Sequence, residues 1–460
     1  MLLLGAALTT CAPSRAPTPP PPAEALARSL GLIRTATSTE PHVVRLLFYG
    51  QSISTPKWTA QAVAHLTQTY PNVRFVVRNL AIGGFAAQTL KRTVERDVTA
   101  FYPDLIVFHV YGDHRDYERI IRTIRATTPA DLIVQTDHLS TDLGPLCDEG
   151  LHLSLASRPG CKGRLWYRAT DWESHMSWSV IPGLAAKYGF AVEPRRDEWI
   201  AYLGKTGLPA AALIADSPHP NARGWSVMAL LFGRWFDRAV ASWNGQRSTA
   251  VTDLPATSRT FDMTGNRIEI IASGPLDGKV TATIDGKRPQ DLDGCWQTSR
   301  TTALPEVRPW PALRQVTIDP ADHQADRFTL TLTHFDPSQA HFRFALTSAA
   351  RGPDGAGSSD SDFVSPSGRV RISKEDWTLA ESVAHAHRGV PEGFKVEWRR
   401  AFVCRDQPAV PLTAGTVEQR HLIATGIRQG PHKVNIRVSP DAERRIRAIR
   451  IYRPPLDDAA

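Results

Sequence analysis

The apolar positions of this chain follow two different periods. Up to about residue 245, short unbroken apolar runs at 43–49, 73–82, 104–111, 131–136 and 190–193 alternate with longer stretches near 58–70, 89–101, 116–127, 167–188 and 221–242, whose apolar residues recur at helical spacing. An unbroken run of strand length suits a strand buried on both faces, and strands alternating with helices build a parallel sheet covered on both sides. The pattern predicts a three-layer α/β/α domain over 41–248, with active loops at the carboxyl ends of its strands. Segment 141–165 breaks the rhythm with Gly, Pro, Ser and two cysteines, and reads as a loop beside the site.

From about residue 255 the period becomes two. TGNRIEIIA, GKVTATIDG, RFTLTLTHF, HFRFALT, FKVEWRRAFV, HKVNIRV and IRAIRIY alternate apolar and polar positions between Gly, Pro, Asp and Asn breaks. Many short alternating strands predict an all-β sandwich, jelly-roll-like, over 255–456. PDGAGSSDSD at 353–362 is too polar for a core.

The stretch 1–40 reads differently. MLLLGAALTTC has the short apolar core and cysteine of an export or lipoprotein-like signal, with Cys11 as the lipid acceptor, or it is a disordered N-terminus. APSRAPTPPPPAE then reads as a stiff Pro-rich tether. Setting Cys11 aside leaves Cys147, Cys161, Cys295 and Cys404, an even number that suits an exported, oxidising location. Cys147 with Cys161 can close a local loop and Cys295 with Cys404 can staple the C-terminal domain, or all four are free thiols. No stretch reaches the ~20 apolar residues of a membrane span, which leaves a lipid on Cys11 as the one membrane contact expected. The net charge of +8 is scattered over the chain, so nothing points to nucleic acid.

Candidate chemistry concentrates at the ends of the predicted strands. VVRLLFYGQS at 43–52 is a buried strand that delivers Ser52 into a tight Gly-x-Ser turn. A serine becomes a nucleophile when a base lies beside it and preorganised donors meet the oxyanion. NLAIGGFAAQT at 79–89 offers Gly84 as a backbone oxyanion donor, or is a plain strand-to-helix turn. FHVYGDHRDY at 108–117 crowds Asp113, His114, Arg115 and Asp116 into one loop, either a polar wall of the site or a surface loop capping the next helix with Asp116. DSPHPNARGW at 216–225 sets Asp216 three residues before His219, close enough for the carboxylate to hold the imidazole toward a serine. No metal or cofactor is needed, since Asp-x-x-His lacks further ligands at metal spacing.

The joint order of these blocks resembles the SGNH, or GDSL-type, hydrolase superfamily over roughly 43–245. The resemblance implies a flavodoxin-like domain with Ser52 as nucleophile, His219 as general base and Asp216 orienting it. Gly84 and the Ser52 amide would be oxyanion donors. Two positions depart from the family. Its usual Asp before the serine is Gln51, a change also found among carbohydrate-acting members. Its Gly-x-Asn-Asp block reads Gly112-Asp113-His114-Arg115, which sets His114 at the position of the oxyanion Asn.

Trp58, Phe85, Tyr111, Asp137 and His138 fall in loops predicted to line the cleft with Gln51 and Asp113. Aromatic faces beside hydrogen-bonding groups suit sugar rings. Trp296, Trp310 and Trp377 are further candidates, as binding aromatics or as interior residues. The expectation is an exported hydrolase that removes acyl groups, such as acetyl, from a polysaccharide or oligosaccharide. The alternatives are a glycoside hydrolase using Asp113, Asp116, Asp137 or Asp216, and an inactive carbohydrate-binding protein.

Overall fold

The structure, a computed structural model, describes residues 18–140, 169–412 and 415–456. Five strands, β1 (His42–Gly50), β2 (Val73–Asn79), β3 (Leu105–His109), β4 (Asp131–Gln135) and β5 (Ala191–Glu193), form a parallel sheet in the order β2-β1-β3-β4-β5. The helices of this domain are α1 (Pro22–Ala25), α2 (Ala27–Thr35), α3 (Pro56–Thr69), α4 (Ala87–Leu90), α5 (Val94–Phe101), α6 (His114–Thr127), α7 (Ala169–His175), α8 (Ile181–Tyr188), α9 (Arg195–Thr206) and α10 (Ala222–Ala241). Successive strand residues face opposite ways. Leu47, Tyr49, Ile106, Phe108, Leu132 and Val134 meet the apolar residues of α4, α5, α6 and α8. Val44, Leu46, Phe48, Leu105, Val107 and Ile133 meet those of α2, α3, α9 and α10. This is the predicted three-layer α/β/α domain, with its strand order reversing at β1 and β3.

Two parts of the domain differ from the pattern read in the sequence. Within the expected 1–40 segment, α1 starts on Pro22, and Leu26 just ahead of α2 is buried in the core with Leu30 and Ile33 of that helix. Proline at a first helical position is favourable, so a Pro-rich run can end in a helix. α9, absent from the sequence reading, buries Trp199 and Leu203. Cys11, Cys147, Cys161 and segment 141–165 lie outside the described residues.

The C-terminal half is antiparallel and all-β. It contains β8 (Val251–Pro255), β9 (Thr260–Ala272), β10 (Val280–Ile284), β11 (Trp296–Thr298), β12 (Thr317–Ile318), β13 (Asp326–Thr333), β14 (Arg343–Ser348), β15 (Gly352–Ser358), β16 (Phe363–Val364), β17 (Val370–Ile372), β18 (Lys395–Phe402), β19 (Val410–Pro411), β20 (Val417–Val438) and β21 (Ile446–Tyr452). One sheet runs β10-β20-β9-β21-β8 with β19 beside β20, and a second runs β11-β18-β13-β14-β15. The polar 353–362 segment supplies the edge strand β15.

These two sheets carry different cores. The first closes over its own apolar cluster, which includes the Cys295–Cys404 disulfide, with a Cα–Cα distance of 5.2 Å. The second shares one continuous cluster with the α/β domain, from Ile106, Phe108 and Leu132 through Trp310 and Leu313 to Phe328 and Trp398. Ion pairs reinforce that seam: Arg92 grips Asp376 through two hydrogen bonds, and Arg300 does the same to Asp97. Among the described residues no helix is long and apolar enough to cross a membrane.

Candidate active site

β1 brings Ser52 to the carboxyl end of the sheet through a turn that requires glycine. Gly50 has φ +141°, and a Cβ there would lie 1.8 Å from the His109 carbonyl oxygen. Gln51 continues extended, and Ser52 opens a short 3-10 turn over Ser52–Ser54. From the far end of the domain, β6 (Ile214–Asp216) and β7 (His219–Pro220) form a small antiparallel hairpin ahead of α10. Asn221 caps α10 by accepting from the Gly224 N–H at 3.0 Å. The hairpin sets His219 Nδ1 2.5 Å from Asp216 Oδ1 and His219 Nε2 2.9 Å from Ser52 Oγ.

The structure thus brings Ser52, His219 and Asp216 into one hydrogen-bonded line. With Asp216 accepting from the Nδ1 hydrogen, Nε2 is left as the acceptor that faces the serine hydroxyl. The two partners of the serine are open to solvent: the His219 side chain is 38% exposed and that of Asp216 is 73% exposed.

Beside Ser52 lies a turn over Ile82–Phe85, closed by the Phe85 N–H donating to the Ile82 carbonyl at 3.1 Å. Gly84, third in the turn, has φ +84°, the value that a type II turn reserves for glycine. A Cβ on Gly83 would sit 3.8 Å from the Ser52 Cβ, so the turn borders Ser52. The Gly83 carbonyl accepts from Trp310 Nε1–H at 2.6 Å. The Gly84 N–H forms no hydrogen bond among the described residues.

His114 opens α6, half-buried, with its ring 5.4 Å from that of His175 and 5.8 Å from that of Trp172. Burial, and then the neighbouring His175, lowers its pKa. Its Nε2 is buried with no hydrogen-bond partner.

Several expected binding residues turn out to hold the scaffold. Trp58 is fully buried, donates to the Ile53 carbonyl at 2.6 Å and packs edge-on against Phe48 and Phe232. Phe85 is buried against Trp310, with ring centroids 5.3 Å apart. Neither ring offers a sugar a face, because α3 packs Trp58 into the core and the Ile82–Phe85 turn points Phe85 inward. Gln51 is buried too, and its amide links two loops, donating to the Phe85 carbonyl at 3.1 Å and accepting from the Tyr111 N–H at 3.0 Å. Asp113, and not Asp116, is the N-cap of α6, accepting from the Arg115 and Asp116 N–H groups. Asp116 instead pairs with Lys91 at 2.7 Å. Tyr111 is half-buried, its ring edge-on to His109 and tilted against Trp172.

Asp137 and His138 belong to a buried polar cluster behind the site. Asp137 Oδ1 lies 2.6 Å from His109 Nε2, and both side chains are closed off from solvent. Burial raises the Asp137 pKa against the pull of Arg196 and Arg195, and lowers that of His109 to about 3. Glu173 is raised by burial and by the charge of Asp137. Arg196 pairs with Glu173, and Arg195 with Glu193. His138 donates from Nε2 to the Pro218 carbonyl at 2.7 Å, which tethers the hairpin carrying Asp216 and His219.

Sequence reasoning missed Trp310 in this setting, along with Glu173, Arg195 and Arg196. Glu173, Arg195 and Arg196 read as ordinary helix residues, and Trp310 stands 227 positions from Gly83. Of the other candidate tryptophans, Trp377 packs on Phe342 and Phe344, and Trp296 stacks on His323. Asp277, Asp406 and His421 form a cluster of metal-ligand type in the C-terminal half. They satisfy one another instead, since His421 Nδ1 bonds Asp406 at 2.7 Å and Asp406 accepts from the Leu276 and Asp277 N–H groups.

A parallel flavodoxin-like sheet with Ser52 after its first strand, glycines after its second and Asp-x-x-His before its last helix keeps the block order of the SGNH resemblance. No family model matches the chain, and no curated protein matches it in sequence. Among solved structures, a two-domain esterase active on acetylated mannans, co-crystallised with mannopentaose, is 11% identical at a TM-score of 0.33, covering 94% of this chain and 97% of its own. An acetyl xylan esterase is 16% identical at a TM-score of 0.32, covering 42% and 99%. An acetylxylan esterase from Geobacillus stearothermophilus is 18% identical at a TM-score of 0.32, covering 45% and 97%. These similarities are too distant to assign this chain an activity.

Proposed function

We propose that this chain is a serine esterase of SGNH type that removes acyl groups, acetyl foremost, from carbohydrate. The observation that carries the reading is the line Ser52 Oγ, His219 Nε2, His219 Nδ1, Asp216, with spacings of 2.9 and 2.5 Å. Ser52 Oγ adds to the ester carbonyl carbon while its proton passes to His219 Nε2. The tetrahedral oxyanion is met by the Gly84 and Ser52 amides. Collapse breaks the ester bond, and the departing sugar oxygen takes the proton from His219. Water then adds to the acyl-enzyme by the same proton path, releasing the carboxylic acid and restoring Ser52.

Carbohydrate as the substrate fits the exposure of the pair. A hydroxyl-rich polymer can reach His219 and Asp216 without entering an enclosed apolar pocket. Gln51, at a position where the resembling family's carbohydrate-acting members also vary, agrees with that class. The carboxylates of the glycosidase alternative are committed elsewhere: Asp113 caps a helix, Asp116 pairs with Lys91, Asp137 with His109 and Asp216 with His219. Export is part of the proposal, since the Cys295–Cys404 disulfide suits an oxidising compartment.

The test is acetate release from an acetylated xylo-oligosaccharide, with intact mass after a fluorophosphonate probe. We expect one adduct and turnover in the parent, and neither in Ser52→Ala. Turnover retained by Ser52→Ala would overturn the mechanism.

A further inference from the structure

The turn that borders Ser52 is held from outside its own domain. Gly83 and Gly84 are its two central residues, and one planar peptide joins them. In a trans peptide the C=O and N–H bonds point in opposite directions. Whatever fixes the Gly83 carbonyl therefore also fixes the Gly84 N–H. The group that fixes it is Trp310 Nε1–H, at 2.6 Å, from the C-terminal half.

The surroundings of Trp310 make this contact stiff. The ring is buried, lies edge-on to Phe85 at 5.3 Å and stacks on His385 at 5.6 Å. A Cβ on Gly84 would fall 2.8 Å from Trp310 Cζ2, while one on Gly83 would face Ser52. The turn is thus sandwiched, with the nucleophile against one glycine and the indole against the other. Two glycines impose little restraint of their own on that peptide, because glycine accepts both signs of φ. Without a partner for the Gly83 carbonyl, the peptide is free to rotate and turn the Gly84 N–H away.

We propose that Trp310 is a positioning residue for the oxyanion hole, so that the C-terminal β region is a working part of the catalytic site. It acts through the Gly83–Gly84 peptide and does not touch substrate. The inference rests on the serine esterase reading above. Trp310 fixes the donor, and it leaves ground-state substrate contacts alone, so its loss should lower kcat and spare KM.

The experiment measures kcat and KM for acetate release from an acetylated xylo-oligosaccharide by the full chain, with a thermal melt for each variant. Trp310→Phe keeps a ring against Phe85 and removes the N–H. We expect kcat to fall about tenfold or more, a share of the ~10²–10³-fold cost of losing an oxyanion donor, with KM nearly unchanged. Trp377→Phe, a buried tryptophan of the same region with no contact to the turn, should keep the parent kcat. His385→Ala, at an exposed position, removes the ring that stacks on the indole without opening the core, and should give a smaller fall in kcat at the parent KM. This second variant carries the test if Trp310→Phe does not fold. A parent kcat in His385→Ala and in folded Trp310→Phe overturns the inference, as does an equal loss in Trp377→Phe. If Ser52→Ala turns over like the parent, the esterase reading falls first and takes this inference with it. A dead Ser52→Ala beside an unaffected Trp310→Phe removes the inference alone.

Discussion

Two histidine–aspartate pairs stand at the carboxyl end of the same sheet, and they do opposite things. His219 and Asp216 meet at 2.5 Å with side chains 38% and 73% exposed; His109 and Asp137 meet at 2.6 Å with side chains 1% and 3% exposed. The contact is nearly the same, but the solvent is not. Burial holds His109 neutral, at about 3, and pushes Asp137 above the carboxylate range. A histidine held there does not take up a proton near neutral pH. The exposed pair is the one that faces a serine. Residue identity therefore does not tell the two pairs apart; access to water and a neighbouring serine do. Strongly shifted pKa values often mark active sites, yet here they mark the wall behind the line of Ser52, His219 and Asp216.

Asp216→Asn should break the comparison from the exposed side. The amide can present an N–H to His219 and favour the wrong tautomer, so turnover should fall by about 10²–10⁴-fold with the fold intact. Undiminished acetate release would remove Asp216 from the mechanism. His138 bridges the two settings, since it is buried beside Asp137 yet holds Pro218 in the hairpin of Asp216 and His219. We expect His138→Phe to lower kcat by about tenfold through a displaced His219, and His138→Gln, which keeps a donor, to recover part of it. Equal rates in the two variants would show that the hydrogen bond does not matter.

The smallest effect on turnover should come from Asp137→Asn, which ought to leave kcat of the folded protein unchanged. Its signature is in the pH dependence of stability. Asp137 and Glu173 have raised pKa values in the folded chain, so above the ordinary carboxylate range of ~4 the folded state holds protons that the unfolded state has released. Their contribution to stability is present below that range and is lost as pH rises through the raised values. Urea midpoints should therefore fall less steeply between about pH 5 and about pH 8 in Asp137→Asn than in the parent. Parallel slopes would show that the buried carboxyl does not titrate there.

The strands and the three residues of the serine line were legible in the sequence because their signals are local. An apolar run names a buried strand, and Asp216 and His219 stand three positions apart on one hairpin. What the aromatics do was not legible. Trp58 lies in the first turn of α3 and Phe85 in a loop, and only tertiary packing turns both rings inward. α2 was hidden behind its prolines, although Leu26, Leu30 and Ile33 already carry helical spacing. Trp310 had no local signal at all, since its partner is a backbone carbonyl in the other half of the chain.

The apolar cluster shared between the α/β domain and the second sheet also bears on how this chain can be divided. A fragment ending after α10 would keep Ser52, Asp216 and His219 but would turn one flank of its core, including Phe85, toward water. Such a fragment would lose the burial that Trp310, Leu313 and their neighbours supply, and would present a large sticky patch. The half that carries Ser52 is therefore not a portable cassette: the linear boundary near residue 250 separates two patterns of sequence, not two self-sufficient bodies.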